Sequence, residues 1–147
     1  MLSLLTSSTK MAKTLNLEVV TPQGIAYSDD VELVGLRAIE GQIGILPNHI
    51  PLMTQMLPGE MLVRKAGQDK FLAVGEGLVE VTGDSVAILT DMAIAAESID
   101  EARAEEARKR AETRLHEKIS AAELSSVNAS LARTLAQLGV KRRHRGR

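Results

Sequence analysis

The chain predicts an α+β protein in two consecutive parts, an N-terminal all-β sandwich or flattened barrel of many short strands followed by a C-terminal antiparallel two-helix hairpin. Three observations carry that expectation. Short apolar runs alternate with Gly- and Pro-containing turns from Thr14 to Thr90, and nothing between them is long enough for a helical crossover, which disfavours a parallel sheet. From Ser98 onward those turns cease and apolar residues recur at the spacing of a helix. Charge divides at the same place: Thr14 to Glu97 holds 12 acids and 4 bases, Ser98 to Arg147 holds 7 acids and 12 bases. An acidic part and a basic part imply different partners.

In chain order, residues 1–13 read as a disordered extension. Their apolar patch is short and no basic region leads it, so no secretory signal is expected. The sandwich spans residues 14–97. Leu15, Leu17 and Val19 alternate with Asn16 and Glu18, giving one apolar and one polar strand face. "TPQG" then turns the chain and "YSDD" reads as a second break before "VELVGLRAI". Further strands are expected at "IGIL", "PLMTQML", "EMLVRK", "KFLAV", "GLVEV" and "SVAIL", separated by Pro58-Gly59, Gly67, Gly75-Glu76-Gly77 and Gly83-Asp84.

The hairpin spans residues 98–139. "SIDE" reads as a capping box with Ser98 as the capping hydroxyl, and Ala107, Ala111, Leu115 and Ile119 then repeat every four residues. "SAAE" at Ser120 to Glu123 is a second capping box and places a turn near Lys118 to Ser120. Leu124, Val127, Leu131, Leu135 and Leu138 form a seam on the second helix, with Gly139 as its expected stop. Residues 140–147, with "KRRHRGR", read as a solvated basic tail. Such a pair of helices has little apolar surface to bury, so it should be held weakly.

Composition removes several chemistries. There is no cysteine, so disulfides, thiol nucleophiles and cysteine-ligated metals are out. Tyr27 and Phe71 are the only aromatics, which leaves no platform for base stacking and argues against a nucleic-acid partner. No apolar run approaches the roughly 18 residues of a membrane helix. His49, His116 and His144 fall in separate contexts, and neither a nucleotide-cradling glycine loop nor a nucleophile elbow occurs. No catalytic or metal-ligating set is expected.

Two stretches remain as candidate sites. "IEGQIGILPNHIPL", Ile39 to Leu52, sets Glu40, Gly41, Gly44, Pro47 and His49 on a turn-rich segment, where a strand scaffold normally carries recognition. Its glycines bend the chain and its histidine lacks acid–base partners, so a protein contact is the expectation. On the first helix, Arg103, Arg110 and Arg114 share a face, with Arg108 and Lys109 beside them. They form either a salt-bridged solvated surface or a basic surface for phosphate or acidic protein.

"EGQIGILPNHIPL", "VGEGLVEV" and "SIDEARAEEARKRAE", in this order and spacing, resemble the epsilon subunit of the F-type ATP synthase over about Thr14 to Leu138. The resemblance implies an all-β sandwich of about ten strands followed by a helical hairpin, and a non-catalytic rotor subunit in the central stalk of a proton- or sodium-driven synthase. Its sandwich would bind the gamma subunit and rest on the c-subunit ring, with Glu40 and His49 at matching positions. Its hairpin would either lie against the sandwich or extend toward the catalytic beta and alpha subunits and inhibit ATP hydrolysis, presenting Arg103, Arg108, Lys109, Arg110 and Arg114. The implied location is the cytoplasmic face of a bacterial inner membrane, peripherally through the complex. No cofactor is implied, with ATP as a possible regulatory ligand in the alternative reading of an ATP-sensing hairpin. For that reading the motif (I/L)DxxRA is met by Ile99 to Ala104, which gives Asp100 and Arg103, joined by Arg110 and Arg133. Where nucleotide-binding members place another arginine, this chain has Gln137.

Overall fold

The computed structural model describes residues 13–145; the expected extension up to residue 12 and the last two residues of the basic tail lie outside the described residues. Ten strands come first: β1 (Leu15–Thr21), β2 (Gly24–Val31), β3 (Leu33–Ala38), β4 (Gly41–Ile45), β5 (Leu52–Met56), β6 (Gly59–Lys65), β7 (Gln68–Val74), β8 (Gly77–Thr82), β9 (Ser85–Thr90) and β10 (Ala93–Ala95). A one-turn 3-10 helix (Ala96–Ser98) leads into two helices, α1 (Glu101–Leu115) and α2 (Ala121–Arg143).

Hydrogen bonding runs β10-β7-β6-β3-β5-β8-β9-β1-β2, with β4 on the free side of β3. Strand β3 joins the two layers. Its first half pairs Leu33 to Gly35 with β6, and its end pairs Ala38 with Met56 of β5. The sandwich is therefore nearly closed. Strands β1 and β9 pair in parallel, a contact made after seven intervening strands and without a helical crossover. Between the layers lies a core of Val, Leu, Ile and Met, in which Leu17, Val19, Val34, Leu36, Ile45, Met56, Met61 and Ile88 are fully buried. Each such side chain contributes about 1.5–3 kcal/mol on leaving water.

"YSDD" is not a break. It lies inside β2, an edge strand that pairs with β1 alone. An edge strand tolerates polar side chains because one rim faces solvent, and here they also find partners. Asp30 accepts from the Asn16 amide across the pair at 3.2 Å, and Asp29 pairs with Lys65 of β6.

Strand alternation explains where the helices sit. In β7, Leu72 and Val74 point into the sandwich core, whereas Phe71 and Ala73 point outward. That outer face, with Met92, Ile94, Ala96 and Ile99, receives Ala136 and Val140 of α2 in a second, smaller cluster.

Two helix boundaries differ from the expectation. Ser98 closes the 3-10 turn, and the cap of α1 is Asp100, which accepts from the Arg103 backbone N–H at 3.2 Å. Ile99 is the reason: its side chain is buried in the second cluster, which holds that residue extended and leaves the next short polar side chain to cap. Gly139 does not end α2, which continues to Arg143 through half of the expected tail. A glycine inside a helix costs about 1 kcal/mol relative to alanine. Burying Val140 completely returns more than that. The second capping box is as expected, with Ser120 accepting from the Glu123 N–H at 3.2 Å. Within the expected leucine seam, Leu138 is buried while Leu124 and Leu135 remain exposed. Ala104 and Ala111 are the buried residues of α1.

Candidate functional site

The loop between β3 and β5 is built from turns that only certain residues permit. Gly41 has φ +130° and Asn48 φ 67°, the left-handed half of backbone space that glycine and asparagine enter most readily. Glu40 accepts a hydrogen bond from the Thr54 hydroxyl at 2.6 Å, which ties the β3–β4 turn to β5. His49 is used within its own loop. Its Nδ1 lies 2.7 Å from the Ile50 carbonyl, and its backbone N–H donates to Leu46. Asn48 donates from its backbone to Asp84, so the loop is also tied to the β8–β9 turn. Gly44 pairs with Gly35 in the β3–β4 ladder, and Pro47 is half-buried. Glu40 and His49 are thus each held in place by different partners.

The sheet beside this loop carries a feature that motif reading missed. Ile25, Val20, Leu89 and Leu78 are successive cross-strand partners on β2, β1, β9 and β8, a row that crosses four strands at one level. Ile25 is 63%, Leu89 55% and Leu78 55% exposed. Ile39, Leu46, Ile50 and Met53 are exposed as well. The signal was present in the sequence as apolar pairs within strands, Val19-Val20, Leu78-Val79 and Ile88-Leu89. A strand with one wet face should alternate, and a pair of adjacent apolar residues puts one on each face. An exposed apolar row of this kind is a candidate contact surface.

On the hairpin, Asp100, Arg103 and Arg110 line one hollow of about 340 Å³ with Ser98, Ala104, Ala107, Thr134 and Gln137. Arg133 is not in it. It lines the neighbouring hollow of about 400 Å³ and donates to Asp91 at 3.0 Å. Gln137 lines both and contacts the Met92 sulfur at 3.1 Å. Three of the four nucleotide candidates are brought together, and the fourth is engaged by an acid 42 residues away in the chain.

The five basic residues of α1 also divide. Arg103, Lys109 and Arg110 are exposed. Arg108 pairs with Glu105 and, at 2.7 Å, with Glu112. Arg114 bridges the two helices, reaching Glu117 at 2.9 Å and Glu123 at 2.6 Å. Arg108 first, and Arg142 of α2 beside it, hold the Glu105 carboxyl down to about 2. Arg142 and Arg145 likewise hold Glu101 below the usual carboxylate range. Among the described residues no three His, Cys, Asp or Glu side chains cluster as a metal site.

A strand sandwich carrying a polar helical hairpin, with an exposed apolar row on the one and paired charges on the other, defines a class of subunit whose surfaces serve other proteins. The chain belongs to the ATP synthase delta/epsilon family: residues 14–96 match its beta-sandwich domain and residues 97–142 its long alpha-helix domain. The ATP synthase epsilon chain of Bacillus velezensis is 41% identical over 128 residues, covering 87% of this chain and 97% of that one. That of Herminiimonas arsenicoxydans is 39% identical over 137 residues, covering 92% and 98%. A chain in the solved mitochondrial ATP synthase of Euglena gracilis shares the fold with a TM-score of 0.70 at 21% identity, covering 84% of this chain and 78% of that chain. The family places the protein as a non-catalytic subunit of the synthase.

Proposed function

We propose that this protein is a central-stalk rotor subunit, whose sandwich couples gamma to the c-subunit ring and whose hairpin restrains ATP hydrolysis. The observation that supports the moving hairpin is the make-up of its seat. The second cluster buries only Ala73, Met92, Ala96, Ile99, Ala136 and Val140, with Phe71 and Ile94 partly buried against them, three alanines among eight residues, against a much larger sandwich core of Leu, Ile, Val and Met. Little area is buried at about 25 cal/mol per Å². A weakly seated element is one that partners can redistribute between two positions. The exposed row from Ile25 to Leu78, and separately the loop that carries Glu40 and His49, supply the rotor contact in this reading. Relatives titled as epsilon chains support placement on the cytoplasmic side of a bacterial inner membrane, held there through the complex, since no helix among the described residues is long and apolar enough to cross.

Truncation after Glu97 tests the hairpin's part. The sandwich should still fold and assemble with ATP synthesis retained, while ATP hydrolysis by the assembled enzyme rises. Charge reversal at the exposed Lys109 and Arg110 together with Arg108 should raise hydrolysis in the same direction. Hydrolysis unchanged in both would remove the inhibitory role and leave the hairpin a strut.

Nucleotide sensing is the second reading, and the hollow holding Asp100, Arg103 and Arg110 favours it. Arg133 lies outside that hollow and is occupied by Asp91, and Gln137, which lines it, brings no charge to meet phosphate. A charge-assisted bond to phosphate contributes about 1.5–3 kcal/mol, so the missing cation weakens ATP roughly tenfold or more. Isothermal titration should show weak ATP binding at best. Tight binding abolished by Arg103→Ala would put sensing first.

A further inference from the structure

The segment read from sequence as a basic tail is tied into the structure at every described step. Arg142 donates from Nε to Glu101 at 3.1 Å and from its guanidinium to Glu105 at 3.0 Å, and Arg145 reaches both oxygens of Glu101 at 2.6 Å. Arg143 donates to Glu60 of β6 at 3.0 Å. His144 places Nε2 at 2.6 Å from the same carboxylate and stacks on Phe71 of β7, ring centres 3.7 Å apart and planes 10° apart. That imidazole is 11% exposed although its Nδ1 finds no partner, so the stack and the Glu60 bond hold it.

The contacts sort these four residues. Arg142, near the end of α2, and Arg145, in the turn just beyond it, reach toward α1, while Arg143 and the C-cap His144 between them reach toward the sandwich. Gly139 makes room for the arrangement. A methyl group there would stand 3.2 Å from the Arg143 guanidinium, so the missing side chain leaves space for Arg143 to fold back along the helix toward Glu60.

We propose that the end of α2, with the turn that follows it, is a two-sided clasp, which closes the hairpin on itself through Glu101 and Glu105 and on the sandwich through Glu60 and Phe71. Because both grips sit on one short stretch, each holds the other at high local concentration, and losing either loosens both. The clasp accounts for docking that the small apolar seat alone leaves weak. It rests on the proposed mobility of the hairpin but not on inhibition, which the hydrolysis assay tests separately.

The chain has no cysteine, so two can be introduced at exposed sites away from the clasp, Glu18→Cys on β1 and Thr113→Cys on α1, and spin-labelled in the full-length protein. Electron-spin distance measurements then read the docked and undocked populations. Exposed ion pairs are individually weak, a few-fold each, so Arg142→Glu with Arg145→Glu should raise the undocked fraction about tenfold, as should Arg143→Ala with His144→Ala. Adding Glu101→Arg, at the residue whose partners among the described residues are Arg142 and Arg145 alone, to the first pair should restore docking in part. The parent should loosen as salt rises to 1 M, where the screening length falls to about 3 Å. A distance distribution unchanged in both double variants, or a parent indifferent to salt, would overturn the clasp.

Discussion

Gly75 shows how one absent side chain sets a contact far along the chain. A Cβ built there would lie 1.8 Å from the Asp91 carboxylate oxygen and 2.9 Å from its Cγ, so no other residue fits without moving Asp91. Asp91 is the acid that holds Arg133 of α2 at 3.0 Å. Gly75→Ala is therefore expected to turn Asp91 aside and release Arg133, while the backbone at Gly75 needs no left-handed conformation and the sandwich keeps its fold. A surface pair of this kind is worth up to about 1 kcal/mol, and the cost should fall on hairpin docking, not on the core. Amide exchange checks it: α2 should exchange faster in the variant, with β1 and β9 unchanged. Equal acceleration in the sheet would mean that the packing of Gly75, and not the Asp91 contact, is the source.

The elements differ in how far their residues announced them. Strands β1 and β3 to β9 were legible because alternation and Gly or Pro turns are local signals. Edge strand β2 was hidden, since its "YSDD" segment takes part in pairing through a rim that faces water, and polarity alone does not separate an edge strand from a turn. The second helix start was plain in Ser120 and Glu123, whereas the first was displaced two residues by the burial of Ile99, a tertiary contact that no capping pattern contains. The end of α2 misled for the same reason. Gly139 stops a helix that has nothing beyond it to bury, and here Val140 and His144 have a place on β7. The loop from Ile39 to Leu52 stood out by its composition, yet its distant partners did not: Thr54 and Asp84 become neighbours of Glu40 and Asn48 only through sheet register. Likewise Arg133 with Asp91 and Arg143 with Glu60 are separated by 42 and 83 residues, beyond any helical spacing rule.

Taken as a whole, the molecule joins a part held by apolar burial to a part held largely by charge, and acid should separate the two. The carboxylates that fasten α1 to the end of α2 are held low in the docked state. Glu101 is lowered chiefly by Arg142, and Glu105 falls to about 2 through Arg108 and then Arg142. Released, Glu101 loses its α2 partners and returns toward its ordinary value of 4.5, while Glu105 keeps Arg108 within its own helix and returns less far. A group whose docked pKa is the lower one stabilises docking fully above the released value and ceases to do so as pH falls through the docked value. The hairpin is therefore expected to stay closed near neutrality and to open between about pH 4.5 and about 2. The sandwich has its own lowered acids, Asp29 beside Lys65 and Asp69 beside Arg64, but both are surface pairs over a buried core, so it should outlast the hairpin. Carbon-detected NMR of the side-chain carboxyls, with core amides such as Leu17 and Ile88 as the reference for the sandwich, follows both events in one titration. Glu101 should titrate low in the parent and near its ordinary value in Arg142→Ala with Arg145→Ala, with hairpin amide shifts moving before the core. If Glu101 titrates alike in the two proteins, or if hairpin and core shift together, charge does not set the order in which the two parts come apart.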